Sequence, residues 1–297
     1  MQRCPSRKAS AAWRIKEAYA SHVPAASGIY VRHNPGHNLV SNRIGEIENT
    51  VRKSTLLVLA GLFSLLALTG LFFFVFPVRA AAQSGSFQIV FNGKPVGTAS
   101  FHIRGTRDGY DSTSLVRVTM KGLDYSLSKT ERLSPAHELQ HVSLSAVVNN
   151  SAVTVTAVPA GAQVLLKFSD NGRGTANRLS AHKEAVFLPD FDPGALETLL
   201  SLAVEHNNRD LWAIIPKEEG AVAPVTLATL PDQQGVLQGK PVTVHHLVAT
   251  IAGAKMDIFS DPGNQLLQAE LPQEGFALVR NAFLLKPPAR PLAPSAD

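Results

Sequence analysis

The stretch Ser86-Phe87-Gln88-Ile89-Val90-Phe91-Asn92-Gly93-Lys94-Pro95-Val96-Gly97 decides the fold. Phe87, Ile89 and Phe91 alternate with Gln88, Val90 and Asn92, the period of a half-buried strand. Asn92-Gly93 then supplies two residues that tolerate positive φ, the strongest short signal for a tight hairpin. The return run extends from Val96 to about Arg104, and Asp108-Gly109 turns the chain again. Tyr110 to Lys121 is a long alternating run rich in Ser, Thr and Val. Another begins at Leu123, Tyr125 and Leu127 and ends at Ser134-Pro135. Further turns fall at Asn149-Asn150, Pro159-Ala160-Gly161 and Asp170-Asn171-Gly172, with Val153, Val155 and Ala157, then Val164, Leu166 and Phe168, alternating between them.

One helix interrupts this meander. Asp192 is a good N-cap, Pro193 suits the first helical position, and Leu196, Leu199, Leu200 and Ala203 form one apolar stripe. The helix should stop near Asn207-Asn208. Strands resume over Leu211 to Ile215, Val222 to Leu230, Val242 to Ile251, Lys255 to Phe259, Leu266 to Leu271 and Phe276 to Leu284. The expected class is mainly β: a large antiparallel curved sheet or open barrel of about twelve strands, with a mid-chain helix at about 193–207.

The chain has 297 residues, 45% of them hydrophobic, which excludes a disordered polymer and leaves room for a sizeable core. Its only cysteine is Cys4, so a disulfide framework and a multi-cysteine metal site are excluded. The net charge of +5 is uneven. Residues 1–82 carry 10 Lys and Arg against 3 Asp and Glu, whereas residues 83–297 carry 18 against 20. The β-rich part is therefore nearly neutral and lacks the basic footprint of a nucleic-acid binder.

The basic part surrounds a targeting signal. Leu56 to Phe76 is 21 residues without a charge, about 30 Å as a helix, enough for a bilayer core. Arg52 and Lys53 precede it, and Pro77 breaks it. Ala80 and Ala82 then fit the small-residue pattern read by a signal peptidase, with cleavage before Gln83. Two readings stay open: an uncleaved anchor holding the protein to the cytoplasmic membrane through 56–76, or a cleaved signal. Either places residues 83–297 outside the cytoplasm, periplasmic in a bacterium. The expected segments are 1–50, a disordered or wrongly included upstream stretch; 51–82, the signal or anchor; 83–286, the β domain; and 287–297, a Pro-rich disordered tail. Val51 is read as an alternative start.

Several motifs invite a chemical reading. His137-Glu138-Leu139-Gln140-His141 matches the H-E-x-x-H of zinc metalloproteases. That chemistry needs a helix, where residues four apart reach one metal and the glutamate activates its water. Here the segment follows Ser134-Pro135 and runs into a strand-like stretch, in which the two histidines would stand about 13 Å apart. A zinc hydrolase is kept as the alternative only. His245-His246 should point to opposite faces of a strand. Asp190 and Asp192, and Asp257 and Asp261, are read as structural acids, with Asp192 capping the helix and Asp261 preceding a Pro-Gly turn. No catalytic residue and no cofactor is assigned.

The organisation resembles uncharacterised bacterial envelope families. The resemblance rests on Phe87-Gln88-Ile89-Val90-Phe91-Asn92-Gly93 leading to Val96-Gly97, a mid-chain helix, and a close through Met256–Asp261, Leu266–Leu271 and Gly275–Arg280. More loosely, the chain is similar to the half-barrel of periplasmic lipoprotein carriers (LolA/LolB-like). The resemblance implies a curved sheet holding a helix and a cavity for an acyl chain. Phe87, Phe91, Phe101, Ile103, Tyr125, Leu127 and Leu199 are then the expected ligand-lining residues. The function expected is a non-enzymatic extracytoplasmic envelope protein that binds a lipid or an envelope protein. A membrane-anchored scaffold without ligand is the other non-enzymatic reading.

Overall fold

The structure is a computed structural model that describes residues 82–287, apart from Asn171, Glu218 and Glu219. The segment 1–50, the apolar span 56–76, Ala80 and the proline-rich stretch beyond residue 287 lie outside the described residues. Among the described residues, no helix is long and apolar enough to cross a membrane.

The first half is a continuous meander: β1 (Gln83–Phe91), β2 (Lys94–Thr106), β3 (Gly109–Met120), β4 (Leu123–Leu133), β5 (Leu139–Val148), β6 (Ser151–Ala160), β7 (Gln163–Asp170) and β8 (Arg173–Ser180). A short β9 (Ala185–Phe187) leads to the helix α1 (Pro193–Glu205). The second half is β10 (Leu211–Ile215), β11 (Ala221–Leu237), β12 (Lys240–Ile251), β13 (Ala254–Ser260), β14 (Leu266–Leu271), β15 (Phe276–Arg280) and β16 (Phe283–Leu285).

All sixteen strands belong to one sheet, ordered β8-β7-β6-β5-β4-β3-β2-β1-β15-β14-β13-β12-β11-β10-β9, with β16 paired to β11. The sheet is mixed and not closed. The pivot is β1, which pairs with β2 on one side and with β15 on the other, Phe87 lying opposite both Ala99 and Arg280. The two halves are thereby joined at the strand that the opening alternation defines.

Two expectations need correction. The sheet is not wholly antiparallel: β9 and β10 run parallel, with Val186 opposite Ala213. Parallel neighbours need a crossover, and α1 supplies it as a β9-α1-β10 unit. Ala185, Val186 and Phe187 are all buried, so they carry no alternation for a sequence reading to find. Among the described residues the strands number sixteen rather than about twelve. Part of the excess comes from the run over Phe276 to Leu284, which breaks at Asn281-Ala282 into β15 and β16. In β11 the strand continues past Leu230 through Pro231, and its register slips between Leu230 and Gln233. A bulge is where a sheet tolerates proline.

The core lies between the inner face of the sheet and α1. Phe87, Ile89, Phe101, Val116, Leu127 and Leu133 face Leu196, Leu199, Leu200 and Leu202 in one buried cluster. Ten of the thirteen helical residues are buried, so α1 is wrapped rather than laid on a surface. On the other face of β12–β14, Val244, Phe259 and Leu267 make a small second core with Phe283 of β16.

Gly97 shows how tightly β2 is packed against β3. A Cβ there would stand 2.1 Å from the Arg117 carbonyl oxygen and 2.9 Å from the Val118 Cα, both backbone atoms. Replacing glycine in a strand ordinarily helps, because the unfolded chain loses freedom. Here β2 and β3 would have to move apart, and overpacking of that kind costs about 1–3 kcal/mol. Gly97→Ala is expected to lower stability by that amount in urea denaturation.

Candidate functional site

The inward face of β3 and β4 carries polar side chains where its alternation calls for apolar ones. Along β4, Leu127, Lys129, Glu131 and Leu133 are all buried. Opposite them on β3, Ser114 faces Lys129 and Ser112 faces Glu131. Asp192 reaches this cluster from the start of α1.

Lys129 Nζ lies 2.8 Å from Glu131 Oε2 and 2.7 Å from Asp192 Oδ2, with all three side chains fully buried. The second oxygen of Asp192 caps the helix, accepting from the Gly194 and Ala195 amides at 2.9 and 3.2 Å. The cap predicted from Asp192-Pro193 is therefore present, and it is also an ion-pair partner. Burial alone would lower the Lys129 pKa, but Asp192 and Glu131 outweigh it and hold the ammonium above the ordinary lysine value. Burial pushes Glu131 up, against the pull of Lys129. Burial also raises Tyr125, helped by Asp190 and Asp192. Two carboxyls share one ammonium, and the Oγ atoms of Ser112 and Ser114 and the Oε1 of Glu131 are buried without a hydrogen-bond partner among the described residues.

Two further polar contacts fasten α1. In its middle, Glu197 is 1% exposed. Its Oε1 accepts from the Leu266 amide at 3.0 Å and its Oε2 from Gln83 Nε2 at 3.2 Å. Burial raises the Glu197 pKa to about 7, despite the Leu266 bond and the charge of Arg280. At the C-terminal end, Glu205 Oε1 lies 2.8 Å from His137 Nδ1, and the His137 ring stacks on Tyr110 with centroids 4.5 Å apart.

That contact decides the geometry of the H-E-x-x-H match. His137 follows a turn in a left-handed conformation, φ 54°, whereas His141 is exposed within β5 opposite Arg132. The helix required to bring both histidines and Glu138 to one metal is not formed. His245 and His246 do point apart: His245 pairs with Asp232 at 2.9 Å, and the buried His246 lies 2.7 Å from Asp257 and stacks on Phe259. No group of three or more potential metal ligands occurs among the described residues.

The expected ligand-lining residues divide. Phe87 and Phe101, whose rings are 6.2 Å apart, join Ile103, Leu127 and Leu199 in the core beneath α1. Phe91 and Tyr125 belong to an aromatic end cluster, Phe91 against Phe276 and Tyr125 against Phe191. Phe87, Phe101, Ile103, Leu127 and Leu199 are thus buried against one another, and Phe91 and Tyr125 are half-buried.

Two hollows lie on the opposite face. One, of about 640 Å³, is floored by Ser100, Leu115, Arg117, Ser128 and Ser145. A second, of about 300 Å³, shares Ser86, Ser100 and Asn281 with it and reaches Arg280 and Gln238. The register aligns Ser86, Ser100, Leu115, Ser128, Ser145 and Thr154 in one row across six strands. Leu115 is 59% exposed and Val147 39%, so two apolar side chains sit in a field of short hydroxyls.

Comparison of the chain with protein-family models, curated proteins and solved structures finds no match.

Two outcomes follow from the fastenings of α1. Lys129→Met leaves two buried carboxyls without a cation and should cost about 3–5 kcal/mol by chemical denaturation. Glu197, whose folded pKa is raised, stabilises most below the unfolded value of 4.5, and that contribution is lost as pH rises towards about 7. Wild-type stability should fall across that window by up to roughly 3 kcal/mol, and Glu197→Gln should flatten the fall in melting curves recorded from pH 4.5 to 7.

Proposed function

We propose that the β domain is a non-enzymatic, extracytoplasmic envelope protein that binds an envelope protein through the outer face of β1–β5. The observation that carries this reading is Leu115. It stands 59% exposed at mid-strand, between Ser100 and Ser128, in the larger of two adjoining hollows. A large apolar group ringed by short polar ones suits a contact whose centre is dry and whose rim hydrogen-bonds. The lining mixes six hydroxyl residues and the Arg117 guanidinium with apolar side chains such as Leu115 and Val147, a combination that favours a polypeptide over an acyl chain. Extracytoplasmic placement is supported by the apolar span 56–76 and by Ala80 and Ala82 before Gln83. The resemblance to envelope families agrees with it.

The lipid-carrier reading has one observation in its favour: α1 is fastened at Asp192, Glu197 and Glu205 by polar contacts and not by apolar packing alone. An acyl chain could enter only if the helix left. A lipid-sized adduct in the native mass of the protein from envelope fractions is the mark of that reading.

A photocrosslinking residue placed at Ser128, in the full chain expressed in a bacterium, tests the partner. Discrete adducts to an envelope protein are expected, and Leu115→Asp should abolish them while changing stability by no more than about 0.5 kcal/mol. Adducts that persist unchanged in Leu115→Asp would contradict the assignment of this face.

A further inference from the structure

Gln83 is the first residue of β1 and also the residue that the Ala80-Ala81-Ala82 pattern places directly after a signal-peptidase cut. Its side chain ends on Glu197, in the middle of the wrapped helix. Glu197 is nearly inaccessible, and both of its bonded donors are neutral: the Leu266 amide and the Gln83 carboxamide. The charged groups facing it are Arg280 on β15 and Asp261 just after β13. Arg280 directs its hydrogen bonds elsewhere, to Gln265 Oε1 at 3.3 Å, the Leu266 carbonyl at 3.1 Å and the Ser84 carbonyl at 3.0 Å. The uncut chain thus holds a buried carboxyl without a bonded cation, one glutamine side chain away from the backbone nitrogen of Gln83.

We propose that cleavage before Gln83 completes this site, the new α-ammonium pairing with the Glu197 carboxylate and tightening β1, β14 and α1 onto one another. The inference rests on the cleaved form of the export reading. Water adds across the Ala82–Gln83 peptide bond, catalysed by the cell's signal peptidase. The hydroxyl goes to the Ala82 carbonyl carbon and the proton to the Gln83 nitrogen, which takes a second proton from water. An α-amine with an ordinary pKa of about 7.7–8.0 is charged at neutral pH. A neutral amide at the start of β1 becomes a cation, and a nearby opposite charge favours the ionised form of a buried carboxyl.

The sign of the pH dependence separates the two forms. With the nitrogen still in a peptide bond, stability is lost as pH rises from 4.5 through about 7, because the folded protein must give up the Glu197 proton. With the ammonium present, the carboxylate is held charged and that loss disappears. Stability is then lost above about pH 8, as the ammonium deprotonates.

The test uses the chain from Gln83 to Asp297 in three forms: with a free N terminus, with an acetylated N terminus, and with Ala80–Ala82 retained. Intact mass verifies that Gln83 has kept its side-chain nitrogen and has not cyclised with loss of ammonia. Melting temperatures across pH 4.5 to about 9 are compared with the same three forms of Glu197→Gln. The free-amine form should melt several degrees higher than both blocked forms near pH 7. The gap should close at the alkaline end and be absent in Glu197→Gln. Coincident profiles of the three wild-type forms overturn the pairing. The N terminus of protein recovered from bacteria expressing the full chain is mapped in parallel. A start at Gln83 supports the processing role, whereas a start elsewhere overturns it together with the cleaved reading.

Discussion

The ion pair between Lys129 Nζ and Asp192 Oδ2, 2.7 Å long and fully buried, ties the N terminus of α1 to the middle of β4. Asp192 cannot move without uncapping the helix, since its other oxygen holds the Gly194 and Ala195 amides. Lys129 cannot swing out without leaving Glu131 and Asp192 as uncompensated charges in an apolar core, a cost of several kcal/mol. A cap alone is worth about 1 kcal/mol. The pair therefore does less to make the helix than to set its place against the sheet. The same density of packing shows at Gly194, where a Cβ would meet Ser114 Oγ at 2.5 Å.

Wrapping one helix in one sheet has a consequence for binding. A trough lined by Phe87, Phe101, Ile103 and Leu127 would suit an acyl chain, but Leu196, Leu199 and Leu202 already supply the apolar partner. The inner face is used in folding, and the outer face of β1–β5 stays open. There the row of hydroxyls from Ser86 to Thr154 is interrupted by Leu115. The second small core, roofed by Phe283, covers the outer face of β12–β14 and leaves that of β1–β5 open.

Much of this fold is legible in the residues. The alternation at Phe87, Ile89 and Phe91, the Asn92-Gly93 turn and the Asp192-Pro193 helix start all read directly, because each is a local signal with a local cause. The limits Leu211–Ile215 and Leu266–Leu271 also coincide with β10 and β14. What stays hidden is non-local. The parallel pairing of β9 follows from where a crossover ends, and three buried residues have no period. The inward cluster did leave a trace: Lys129 and Glu131 share the parity of Leu127 and Leu133, so charged residues stand on the core face of a strand. The second partner of Lys129 lies more than sixty residues away in Asp192, which a sequence reading spends entirely on the cap. Gln83 likewise reads as a processing residue alone, and its contact with Glu197 appears only when β1 is folded beside α1.

The central claim is that α1 is an integral part of the core and not a lid over a cavity. Hydrogen–deuterium exchange of the amides from Leu196 to Glu205, measured against those of β2–β4, tests it most directly. Exchange of the helix at the slow rate of these strands, through global unfolding, is the predicted result. Helical amides that exchange orders of magnitude faster, while the strands stay protected, would contradict the account and make α1 a movable plug.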